Sequence, residues 1–111
     1  MSKRTEIVKE RLGPRDEIKF SWSGELDGKG GYLIMSNKKL VFVHESGLLS
    51  KKYEVPLDLP YEKVANIEKS GRNKIVLTGA GEEKHSFVGR DVPMSSVEAS
   101  LRALIEASKK P

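Results

Sequence analysis

Between Ile18 and Gly89 the chain is cut into seven short apolar runs by turn-forming residues at nearly regular spacing, a pattern that builds strands rather than long helices. Ile18, Phe20 and Trp22 alternate with Lys19, Ser21 and Ser23, the period of a strand with one buried face. Asp27-Gly28 supplies the positive φ angles of a hairpin, and the return strand is Tyr32-Leu33-Ile34-Met35. Ser36-Asn37-Lys38 turns the chain into Leu40-Val41-Phe42-Val43-His44, and Glu45 to Ser50 reads as a loop. Lys52 to Leu57 is a short strand closed by Pro56 and Pro60, and Tyr61 to Ser70 is a strand with a bulge or a distorted start. Turns at Gly71-Arg72-Asn73 and Gly79-Ala80-Gly81-Glu82 lead into Ile75 to Thr78 and His85 to Val88. Seven such strands predict an antiparallel sandwich or barrel, with Trp22, Phe42 and Phe87 among its filling.

Helical spacing appears at both ends. Ser2 to Leu12 places Ile7, Val8 and Leu12 on one face, and Gly13-Pro14 stops it because proline cannot continue the hydrogen-bond ladder. Ser95-Ser96-Val97-Glu98 fits a capping box, after which Val97, Leu101, Leu104 and Ile105 form one apolar stripe. Lys109 and Lys110 suit the negative end of that helix dipole. The expectation is a single mainly β domain over 1–111: a helical lead-in at 1–14, a seven-stranded barrel at 17–89 and a capping helix at 95–109. A length of 111 residues is ordinary for one core.

Composition removes several classes of function. Twenty basic and sixteen acidic residues give +4, and each half, divided after residue 60, carries +2. There is thus no basic arm to wrap nucleic acid, and Tyr32, Tyr53 and Tyr61 are too scattered for a base-stacking platform, so no nucleic-acid partner is expected. Cysteine is absent, which eliminates disulfides, thiol catalysis and cysteine zinc sites. No apolar run nears the roughly 20 residues of a membrane span, and a cytoplasmic location is expected. His44 and His85 have no third residue at metal-ligand spacing, and Ser50, Ser86, Ser95 and Ser96 sit in no motif that activates a nucleophile. Glycines 24, 28, 30 and 31 precede a strand, whereas a phosphate loop feeds a helix, so they read as hairpin punctuation. A protein without catalytic activity, cofactor or metal is expected.

The order of elements, seven strands and then an amphipathic helix, resembles the pleckstrin-homology-like superfold. The stretch Gly31-Tyr32-Leu33-Ile34-Met35-Ser36-Asn37-Lys38-Lys39-Leu40-Val41-Phe42 is similar to the strand–turn–strand signature of GRAM and prokaryotic pleckstrin-homology domains, and to the same hairpin in GLUE domains. Leu12-Gly13-Pro14-Arg15-Asp16-Glu17-Ile18 looks like the lead-in of the prokaryotic members, and Tyr53-Glu54-Val55-Pro56 to Ile67-Glu68 like their fourth and fifth strands. The chain departs from the phosphoinositide-binding members, which carry a basic run across the first two strands. Here Lys19 to Lys29 holds just those two lysines and includes Glu25 and Asp27.

The candidate site is Gly47-Leu48-Leu49-Ser50-Lys51-Lys52. Leu48 and Leu49 form an apolar tip beside Lys51 and Lys52, assisted by Lys29 and Lys84 from neighbouring loops. Such a tip suits peripheral attachment to anionic lipid headgroups, with leucines in the acyl boundary and lysines at the phosphates. The plainer alternative tucks both leucines under the barrel end and leaves the lysines as solvated charges. A second function is protein recognition, for which the GLUE resemblance implies ubiquitin or a ubiquitin-like partner on the exposed side of the C-terminal helix and the adjacent loops. Lys69, Arg72 and Lys74 form another basic group, expected at the opposite end near Lys38 and Lys39.

Overall fold

The computed structural model describes residues 3–47 and 49–109. A short helix α1 (Lys3–Lys9) precedes strands β1 (Ile18–Leu26), β2 (Lys29–Ser36), β3 (Lys39–Ser46) and β4 (Lys52–Pro60). A 3₁₀ turn at Tyr61–Lys63 leads to β5 (Val64–Ser70), β6 (Lys74–Gly79) and β7 (Lys84–Gly89), and helix α2 (Met94–Ser108) closes the chain. The strands form one antiparallel sheet in the order β4-β3-β2-β1-β7-β6-β5. The sheet curls into a half-barrel, with β4 and β5 as its two edges and no ladder joining them. The mainly β architecture matches the expectation, with the barrel open along that seam.

The concave face holds the main core. Phe42 and Phe87 are fully buried and meet edge to face, with ring centroids 6.2 Å apart. Leu33, Met35, Leu40, Ile75 and Leu77 fill the space around them, and α2 seals it with Met94, Val97 and Leu101. Leu104 and Ile105 are half-buried at the border of the same core. The helix starts two residues earlier than the capping box implies: Pro93, not Ser95, is the N-cap, and it makes no side-chain cap. Met94 is drawn into the core, which places Ser95 and Ser96 inside the helix, and Glu98 instead pairs with Arg102 one turn on, at 3.3 Å. Lys109 is the C-cap, and Lys110 lies outside the described residues.

Tyr61 begins no strand. It sits in the 3₁₀ turn with its ring in the core, and its hydroxyl donates to the Ser36 carbonyl. Burial pushes the phenol pKa up, so the group stays a donor at any ordinary pH. The distorted start predicted for β5 takes the form of this turn and a register shift between Val64 and Asn66.

β2 and β3 are apolar on both faces. Ile34, Val41 and Val43 point to the convex side, where α1 covers them with the fully buried Val8 and the half-buried Ile7, joined by Leu12 just beyond the helix. This second cluster explains the unbroken apolar runs in β2 and β3. Arg4 stacks 3.7 Å above the Tyr32 ring, and Arg11 and Lys39 converge on Asp58 at 2.9 and 3.0 Å, fixing α1 and its exit to the sheet. Helix α1 itself ends at Lys9, short of Leu12.

A bulge in β1 changes the expected burial there. Ile18 aligns with Ser36 but Phe20 with Met35, so Lys19 is the extra residue. The slip sends Ile18 to the convex cluster, while Trp22 borders the concave core. Ile18, Phe20 and Trp22 therefore do not share one buried face. Further along, Gly24 and Gly31 face each other across β1 and β2. A Cβ on Gly31 would stand 2.0 Å from the Val43 carbonyl oxygen, and one on Gly24 2.3 Å from that of Val88. Those two glycines allow close backbone approach, while Gly28, at φ +86°, belongs to the turn.

Candidate functional site

Three connections gather at one end of the sheet: the β1–β2 turn at Asp27-Gly28, the β3–β4 loop and the β6–β7 turn. Asp27 braces them. Its two carboxylate oxygens accept from the Ser86 backbone N–H at 2.8 Å and from His85 Nδ1 at 2.9 Å, and its own N–H donates to the Ser86 carbonyl at 2.9 Å. His44 Nδ1 lies 2.7 Å from the Gly30 carbonyl, which accepts, so Nδ1 carries the proton. Both histidines thus hold strands and turns in place. Among the described residues no group of three His, Asp or Glu side chains is arranged to hold a metal ion.

Leu49, Lys51, Lys52, Lys29 and Lys84 all belong to this end; Leu48 lies outside the described residues. Leu49 is fully exposed, so it is not tucked under the sheet. The lysines are divided. Lys51 bonds Glu45 at 2.7 Å, and that hydrogen bond and the nearby negative charge hold its pKa above the ordinary lysine value. Lys29 stands 3.7 Å from Glu54. Lys52 and Lys84 are exposed and make no ion pair among the described residues. Asp27, Glu45, Glu54, Glu82 and Glu83 stand among these four lysines, so the end is not net positive. Beside it, Ser23, Gly30, Gly31, Tyr32, Glu45, Gly47 and Arg90 line a depression of about 320 Å³ on the sheet surface.

The second basic group, Lys69, Arg72 and Lys74, surrounds the β5–β6 turn at the other end of the strands from Leu49. The β5–β6 turn is tied to the exit of β7, where the Gly89 N–H donates to the Asn73 carbonyl at 3.1 Å. Lys38 and Lys39 line a depression with Pro60, Glu62 and Ser108 at the C-terminal end of α2. The exposed side of α2 is partly committed to the sheet, because Arg102 donates to the Ile67 carbonyl on edge strand β5 at 2.8 Å.

The structure also presents a feature that alternation hides. Phe20 and Trp22 stack with centroids 5.8 Å apart and planes 12° from parallel, and Phe20 is 38% exposed. Trp22 Nε1 is buried without a hydrogen-bond partner among the described residues. The readable signal for this site is further on: Arg90-Asp91-Val92-Pro93 turns the chain away from β1 directly after β7, and Pro93 has no N–H to offer it.

No family model matches the sequence, and no curated protein matches it. Among solved structures, the chain is similar to the C-terminal domain of an unknown protein from Leishmania infantum, with a TM-score of 0.63 and 16% identity. The match covers 91% of this chain and 98% of that one. It supports the fold: a curled seven-stranded antiparallel half-barrel with a C-terminal helix, compatible with the pleckstrin-homology-like superfold. No helix among the described residues is long and apolar enough to cross a membrane.

Proposed function

We propose that the chain is a non-catalytic pleckstrin-homology-like module that recognises a protein partner through the loop end around Leu49. The observation that carries this reading is the fully exposed Leu49 set among ion pairs of both signs, Glu45–Lys51 and Lys29–Glu54. An apolar centre with a mixed polar rim is the anatomy of a protein interface. An anionic bilayer asks for something else: unpaired cations, each worth about 1 kcal/mol near the surface. Two of the four lysines are already engaged with glutamates, and five carboxylates would approach the headgroups with them. Ubiquitin or a ubiquitin-like protein is the first partner to try, on the strength of the GLUE-like hairpin.

Membrane attachment is the second reading, and Leu49 itself favours it, since a loop-tip leucine can enter the acyl boundary. Sedimentation with anionic vesicles at low and high salt separates the two. The protein reading expects the chain to stay in the supernatant, and a photo-crosslinker at position 49 in a native extract to yield a discrete protein adduct. Salt-sensitive sedimentation that disappears in Leu49→Ser would replace the protein reading with the membrane one. A titration with ubiquitin followed by amide shifts at Glu45 to Lys52 checks the specific candidate.

A further inference from the structure

β1 is a central strand, yet only half of it has a neighbour on each side. Gly24, Glu25 and Leu26 pair with Gly89, Val88 and Phe87 of β7, and the Arg90 N–H reaches the Ser23 carbonyl at 3.0 Å. The chain then turns away at Asp91, which has φ +56°, and enters α2 through Pro93. From Ile18 to Trp22, β1 is bonded on the β2 side alone among the described residues. Backbone direction alternates along a strand, so Ser21 aims its N–H and C=O the same way as Ser23 and Glu25, into this gap. Ser21 is exposed, and no side chain among the described residues bonds its backbone. Five residues of extended chain span about 16 Å at 3.3 Å each, enough for one short added strand. On the adjoining surface lies the Phe20–Trp22 stack.

We propose that this open half of β1 accepts an extended segment of a partner protein as an added strand, with an apolar side chain on Phe20 and an acidic one toward Arg90. The unpaired main-chain groups call for another polypeptide backbone, since strand addition satisfies N–H and C=O together. The exposed aromatic ring supplies an apolar contact beside it. Charge completes the assignment. Arg90 closes the gap and is held to Glu25 at only 3.6 Å, and the exposed Arg72 in the adjacent β5–β6 turn has no ion-pair partner among the described residues. This surface is separate from the Leu49 loop, and the inference holds whether or not that loop binds a protein.

The test uses peptides selected from a displayed random library on the 111-residue chain as the probe. The expected peptides alternate apolar and polar residues, include an acidic position, change the fluorescence of the single tryptophan and slow exchange of the Ser21 amide. Ser21→Pro removes the outward N–H without touching the β2 ladder, and it should weaken peptide binding at least tenfold. Phe20→Ser should do the same through the ring, which keeps the test decisive if the proline variant fails to fold. Leu49→Ser should leave peptide affinity unchanged, distinguishing this surface from the loop end. Peptides indifferent to both β1 variants, a library that yields no binder, or self-association of the parent abolished by Ser21→Pro would each overturn the proposal; in the last case a second copy owns the edge.

Discussion

Helices α1 and α2 each cover an apolar face of the same sheet, but they do so on different terms. α2 spans fifteen residues and buries Met94, Val97 and Leu101 in a core shared by every strand. α1 has seven residues, and Val8 is its one buried side chain. It leans on polar ties as well, Arg4 over Tyr32 and, just beyond its end, Arg11 to Asp58. Removing α2 would open the core. Removing α1 would expose Ile34, Val41 and Val43 but leave the concave face filled. On this contrast α2 is expected to belong to the cooperative unit, and α1 to act as a cover that opens locally at lower free energy.

The largest expected effect is at Leu101. Leu101→Ala should cost about 2–5 kcal/mol in denaturant unfolding, as for a fully buried leucine. A loss under about half a kcal/mol would mean that α2 is not docked, and the contrast with α1 would collapse. Val8→Ala should cost about 1.5 kcal/mol, the worth of two buried carbon groups. Its signature in hydrogen exchange is faster exchange in α1 while the β2 and β7 amides keep their relative protection. Equal acceleration everywhere would put α1 inside the cooperative unit.

Asp58 supplies a pH handle on the same cover. Burial raises its pKa, but the hydrogen bonds and charges of Lys39 and Arg11 outweigh that and hold it below the ordinary carboxylate value. A carboxyl depressed in the folded state stabilises above its unfolded pKa of about 4 and loses that contribution as pH falls through the folded value. Acid titration of the parent should therefore loosen α1 below about pH 4, and Asp58→Asn should flatten that limb. An unchanged acid limb in the variant would show that Asp58 does not hold the cover. The smallest effect is expected at the loop tip. Leu49→Ser should alter stability by no more than about 0.5 kcal/mol, because the side chain is fully exposed. A loss of several kcal/mol would return Leu49 to the core and end its role as a binding group.

Local chemistry made much of the fold legible in the sequence. Asp27-Gly28 and Gly71-Arg72-Asn73 fall at turns, and β2, β3, β6 and β7 lie where the apolar runs put them. The stripe of Val97 and Leu101 faces the core. These features depend on φ preference and on period, which neighbours in sequence carry by themselves. Tertiary structure decided the rest. One extra residue at Lys19 sends Ile18 to the other face from Trp22, and alternation cannot register a slip that the opposite strand imposes. Met94 moved the start of α2 because burial outweighed a side-chain cap. Glu45 and Glu54 engage Lys51 and Lys29 only because the loop and strands bring them together, and the sequence registers them as separate charges. The composition could put an apolar tip and lysines in one segment; their net field was settled by the carboxylates that the fold placed around them.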